Sequence, residues 1–124
     1  MKHLRYLLTL FFVLAGANHF LHPAPYLSIM PPWVPFPAIA NWISGAAEIS
    51  GGVGVLVTSL RTAAAWGLII LLIAVFPANI HMAQQGGAAY GIPDWLLWTR
   101  LPLQLLFIAW VYFSCLWKKR EELP

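Results

Sequence analysis

The stretch NWISGAAEISGGVGVLV, residues 41–57, places a carboxylate, Glu48, inside what otherwise reads as an apolar membrane helix. An acidic side chain at mid-helix costs roughly 2.5–3.5 kcal/mol on insertion, so its default meaning is a polar site within a bundle. Asn41, Gly45, Glu48 and Gly52 follow one another at spacings of four, three and four and therefore share one helix face. Ser44, Ala47 and Gly51 flank that face, and small residues let a second helix backbone come close in lipid. The face, with its packing glycines Gly45 and Gly52, is expected to point into the protein.

The rest of the chain fits that setting. It has 124 residues, of which 60% are hydrophobic and 9% charged, too few charges to clothe a soluble domain of this size. One integral membrane domain over residues 1–124 is expected. The net charge of +3 is modest and its basic residues lie near segment ends, which argues against nucleic-acid binding. Cys115 is the single cysteine, so intramolecular disulfide and dithiol chemistry are excluded, and a small packing residue is its simplest role.

A spanning helix needs about 20 mostly apolar residues. Segments 4–21, 39–60, 63–84 and 95–117 qualify, predicting an all-α bundle of four transmembrane helices. HPAPYLSIMPPWVPFP (22–37) separates the first two and, with dense proline, predicts extended or turn structure. QQGGAAYGIPD (84–94) joins the last two, with Asp94 as the expected N-cap. Lys2, Arg5, Arg61, Lys118, Lys119 and Arg120 fall on one side of such a bundle and only Arg100 near the other. The positive-inside rule then sets both termini in the cytoplasm of a plasma (inner) membrane protein. Trp33, Trp42, Tyr90, Trp95 and Trp98 would form an outer aromatic belt and Trp117 an inner one. MKHLRYLLTLFFVLAGA also has the form of a signal peptide, with Ala15 and Ala17 at the cleavage site. Cleavage would leave three spans of the same orientation. The apolar run continues past that site into NHFL, which favours four.

The polar residues cluster at one end of these spans. Glu48 lies roughly 13 Å along its helix from the outer end, at 1.5 Å per residue. Asn18 and His19 sit at the outer end of the first helix, and Asn79 and His81 at that of the third, just after Pro77. Pro77 has no N–H for the Ile73 carbonyl, so that acceptor is expected to open toward the site. Arg100 and Gln104 share a face near the outer end of the fourth, and the inner halves are nearly devoid of polar groups.

Each feature has a plain alternative. Glu48 with Arg100 reads either as a clamping ion pair or as a ligand-binding or proton-handling site. His19 and His81 read as hydrogen-bonded interfacial imidazoles, with haem ligation the less favoured option and no metal-ligand spacing present. His3, His22, the LLFIAWVYF run and the KKREELP tail read as terminal, loop, lipid-facing and anchoring residues.

Several stretches together resemble the DoxX-like membrane proteins: AGANHFLHP (15–23), MPPWVPFP (30–37), SGAAEISGGVGVL (44–56), FPANIHMA (76–83) and RLPLQLLFIAWVY (100–112). The resemblance implies a four-helix membrane bundle and matches the family's polar and glycine positions to His19, Gly45, Glu48, Asn79, Arg100 and Gln104. It also implies association with membrane redox systems, since some relatives are subunits of a thiosulfate:quinone oxidoreductase.

Three functions follow as expectations. The first is an accessory subunit of a membrane redox system with a quinone-like ligand in the outer half. There His19, Asn79, Arg100 or Gln104 would donate to the ligand and Glu48 would relay protons. No flavin, dinucleotide or cluster-binding motif is present, so no autonomous catalytic residue is nominated and electrons would come from a redox partner protein. The second is a small proton-coupled transporter using Glu48, similar to exporters that dimerise around one acid, with a second copy as partner. The third is a structural or assembly role. The lipid bilayer is the partner common to all three. Under each, the stiff, aromatic PPWVPFP segment is expected to lie at the outer interface and partly lid the pocket.

Overall fold

The computed structural model of the chain describes residues 2–89 and 91–117; Tyr90, Lys118, Lys119 and Arg120, with the rest of the KKREELP tail, lie outside the described residues. The described residues form helices and turns with no strand: α1 (Lys2–Leu21), α2 (Pro23–Ile29), α3 (Pro37–Gly54), α4 (Arg61–Gln85) and α5 (Asp94–Val111), the last continued by a π-helical turn over Tyr112–Trp117. Three helical stretches are long and apolar enough to cross a membrane, namely Lys2–Leu21, Arg61–Gln85 and Asp94–Trp117. The helix bearing Glu48 is not among them. It has 18 residues, and Asn41, Ser44 and Glu48 dilute its apolar character.

α3 also ends sooner than expected, at Gly54 instead of residue 60. Three glycines in its last four residues lower helix propensity there. The chain then tightens through Leu56 N–H to Val53 and Val57 N–H to Gly54. Arg61 Nε donates to the Val55 carbonyl at 2.7 Å, placing a cation where the helix dipole is negative. The proline-rich segment is likewise not wholly irregular. Pro23 occupies the first turn of α2, where an N–H has no helical partner to lose, so proline is tolerated. Asp94 is the first residue of α5, not its cap. Its Oδ1 accepts from Gly87 N–H at 2.5 Å and closes the 86–94 turn. A Cβ at Gly87 would meet the Ile92 carbonyl oxygen at 1.9 Å, so only glycine fits.

The long helices run antiparallel to their neighbours in the order α1, α3, α4, α5, with the π turn returning to α1. Two ends result, and they differ. The end bearing Arg5 and Arg61 is packed: Leu8, Phe12, Val55, Ala65, Leu68, Val111 and Cys115 form one buried cluster. Here Arg5 Nη1 donates to the Ser114 carbonyl at 3.1 Å. The opposite end, under the 22–36 and 86–93 segments, has only a small cluster of Met82, Ala83 and Leu97. Outside, Leu10, Leu14, Ile70, Ile73, Leu105 and Leu106 are exposed, an apolar exterior suited to lipid. Trp33, Trp42, Trp95, Trp98 and Trp117 are exposed as well.

The tightest seam is α1 against α3. A Cβ on Gly16 would lie 2.7 Å from the Gly45 carbonyl oxygen, and one on Gly45 would lie 2.9 Å from both the Gly16 oxygen and His19 Cβ. At Gly52 the nearest atom would be Phe12 Cβ at 3.1 Å, and Thr9 Oγ1 donates to the Gly52 carbonyl at 2.6 Å. Gly16→Ala is therefore expected to lower stability in mild detergent by about 1–3 kcal/mol. Gly67→Ala, with nothing within 4 Å of the new Cβ, should be neutral or slightly stabilising. Thermal denaturation of the two variants beside the parent checks the difference.

Candidate functional site

Between the packed end and the loops, the four long helices leave a cavity of about 380 Å³, at the small end of the range for small-molecule pockets. Phe11, Phe12, Leu72, Val75, Leu103 and Phe107 form its apolar wall. His19, Asn41, Ser44, Glu48, Asn79, Arg100 and Gln104 form its polar part, and Tyr26 and Met30 also line it.

The polar part is organised from His19. Asn41, fully buried, donates from Nδ2 to the His19 backbone carbonyl at 2.9 Å and turns Oδ1 to His19 Nδ1 at 2.7 Å. A backbone carbonyl can only accept, so it fixes which way the amide points. The amide oxygen can also only accept, so His19 Nδ1 must carry a proton. In a neutral imidazole Nε2 is then a lone pair, and it faces Glu48 Oε2 at 3.4 Å. In that tautomer the contact carries no hydrogen bond, and it becomes attractive only when Nε2 takes up a further proton. Oε2 is buried and accepts no hydrogen bond from any described residue, His19 included.

The His19–Glu48 contact is the only ion-pair contact among the described residues. The expected pairing of Glu48 with Arg100 is not formed. Arg100 lines the same cavity but is exposed, as cations near a helix end usually are.

A second relay lies across the cavity. Gln104, buried on α5, donates from Nε2 to the Leu72 carbonyl and accepts at Oε1 from Asn79 Nδ2. The carbonyl drawn into the site is thus that of Leu72, not Ile73. Leu72 is buried on the interior side of α4, whereas Ile73 is exposed. α4 runs through Pro77 without ending, so Pro77 loosens the turn above this contact.

His81 does not join the site. It lines a separate open groove of about 790 Å³ with Pro25, Ser28, Met30 and Gln85, beneath the loops. A shared ligand for His19 and His81 is therefore not assembled. Asn18 is exposed and donates to the Tyr26 hydroxyl at 2.7 Å. That bond holds the Tyr26 ring stacked on His19 with centroids 3.9 Å apart. The cover over the pocket is thus Tyr26 on α2 together with Met30; Trp33 and Phe36 of PPWVPFP are exposed and line neither cavity. Tyr26 was not nominated from sequence, although Pro23 at the first turn of a short helix is a signal that could have placed it. His3 and His22 are exposed and touch no cavity.

Residues 8–115 match a family model described as a domain of unknown function, DUF8561. The chain belongs to this family. No curated protein and no solved structure matches it. The DUF8561 match begins at Leu8 and ends at Cys115, two members of the packed cluster, and encloses every residue of the pocket.

Two measurements check the anchor. With His3, His22 and His81 replaced by Gln, ¹⁵N NMR of labelled imidazole should show Nδ1 of His19 protonated in a single tautomer; a pyridine-like Nδ1 overturns the assignment. Asn41→Ala should leave two buried groups without partners, lowering stability by about 1–3 kcal/mol for each and releasing the tautomer.

Proposed function

We propose that this DUF8561 protein is an accessory subunit of a membrane redox system whose pocket binds a small amphipathic ring compound of the quinone type. The observation that carries the reading is the union, in one cavity, of an aromatic and aliphatic wall with the facing His19 and Glu48 side chains. Apolar walls with a few convergent polar groups suit such a ligand. An imidazole facing a carboxylate, two groups able to take up and release protons, suits a compound whose redox chemistry moves protons. The likeness to DoxX-like proteins at His19, Glu48, Asn79, Arg100 and Gln104 supports the same reading. With no electron-carrying cofactor motif in the chain, electrons come from a partner protein.

The topology belongs to the same proposal. α3 crosses with α1, α4 and α5 as a fourth span, its polar face shielded by them. Arg5 and Arg61 set the packed end toward the cytoplasm, with both termini there, in keeping with the positions of Lys118, Lys119 and Arg120 in the sequence. The pocket then opens in the outer half. In a Cys115→Ser background, Ser59→Cys should react with an impermeant maleimide only from the cytoplasmic side, and Trp33→Cys only from outside.

Purified protein in mild detergent is expected to take up a short-chain benzoquinone, its hydroquinone, or both, in a saturable one-to-one manner by calorimetry. Ala15→Phe, which fills the cavity from α1, should weaken that binding at least tenfold while retaining the parent's thermal midpoint within a few degrees. Uptake of neither form by the parent protein would overturn the reading.

A further inference from the structure

The hydrogen-bonding groups around Glu48 and Ser44 are acceptors, and given the pocket reading above that decides which form of ligand the pocket suits. Leu72 O fixes Gln104, Gln104 fixes Asn79, and Asn79 is left with Oδ1 as a free acceptor. Ser44, whose hydroxyl has one proton, spends it on the Ala40 carbonyl at 2.9 Å and so presents lone pairs. Glu48 is an acceptor as well. Oε2 faces His19, and the other carboxylate oxygen carries lone pairs with no described residue donating to it. Of the donors nominated for a quinone carbonyl, His19 Nδ1 is engaged with Asn41, while Asn79 and Gln104 each commit one amide N–H, to Gln104 and to Leu72, and keep one. Arg100 is exposed, and the Tyr26 hydroxyl is held by exposed Asn18.

The geometry points to a ligand that donates hydrogen bonds into the deep wall: the hydroquinone, or another phenolic amphiphile, and not the oxidised quinone. A quinone oxygen has lone pairs only, so against Glu48 and Ser44 it sets acceptor on acceptor. A ring hydroxyl donates there and can still accept from the second N–H of Asn79. An unpaired acceptor at a half-buried carboxylate is the more costly mismatch, because hydrogen bonds to charged groups are the stronger ones.

Four probes of equal chain length separate the outcomes under anaerobic conditions: a benzoquinone, its hydroquinone, a 4-alkylphenol, and the corresponding 4-alkylanisole, which keeps the shape and lacks the proton. The expected result is that the hydroquinone and the phenol bind at least tenfold more tightly than the quinone and the ether. Equal affinities, or a preference for the quinone, would overturn this inference and leave the pocket reading standing. Binding of none of the four would overturn both. In Glu48→Gln, whose amide offers a donor beside its acceptor, the phenol-to-ether ratio should fall below threefold. The parent-protein comparison decides the matter even if that variant does not fold.

Discussion

The bond pair between Asn41 and His19 governs the rest of the site. One backbone carbonyl, that of His19 itself, orients the Asn41 amide, and the amide then dictates the imidazole tautomer. From there the chemistry is forced: Nε2 meets Glu48 as a lone pair unless a proton is supplied. A buried histidine beside a half-buried acid would be ambiguous in isolation. With Nδ1 committed to Asn41, only Nε2 is left to meet the acid. Tyr26, stacked on the same ring, covers it on the loop side without a hydrogen bond to either nitrogen.

This arrangement depends on how closely α1 and α3 approach. Gly16 and Gly45 bring the two backbones together, so that His19 and Asn41, one helical turn beyond, can reach each other across the seam. Any side chain at Gly45 would press on Phe20 Cε2 at 2.8 Å and on the Gly16 oxygen and His19 Cβ at 2.9 Å, so it would disturb His19 as well as the seam. Packing and chemistry are thus coupled along one helix pair. Toward the basic end the same seam closes over Phe12 and Gly52 into a dry core; toward the loops it opens into the cavity. The one-sided distribution of polar residues becomes one packed half and one hollow half.

Much of this was legible in the sequence because it follows from periodicity. The shared face of Asn41, Gly45, Glu48 and Gly52, the long apolar helices, and the gathering of polar groups at one end need only a 3.6-residue repeat and a hydropathy pattern. What failed to show were features set by three-dimensional distance. Arg100 was the natural counter-charge for Glu48 by sign, but His19 reaches it because α1 lies closer to α3 than α5 does. Ile73 was the acceptor by the proline rule, but Leu72 is the residue whose side of α4 faces Gln104. His81 and Asn79 are two residues apart, which in a helix turns them some 200° from each other, and only Asn79 meets Gln104. α2 was missed because its prolines fall in a first turn, where they break nothing. Likewise, counting α3 through residue 60 ignored the three glycines at its end.

The long helix that does not qualify as a membrane span carries the acid, and that has a physical reason. α3 is the one long helix that falls short of a self-sufficient span, and it is also the one with α1 and α4 on either side. Its polar groups are satisfied by neighbours, Asn41 by His19 and Gly52 O by Thr9, so cost on the isolated helix becomes cohesion in the bundle. Glu48 is the exception. Its carboxylate meets only the His19 ring, at 3.4 Å, and otherwise lines the cavity. Gln104, by contrast, is tied from within to Leu72 and Asn79. An acid held this loosely adds less cohesion than either amide, so packing alone does not account for its place on α3.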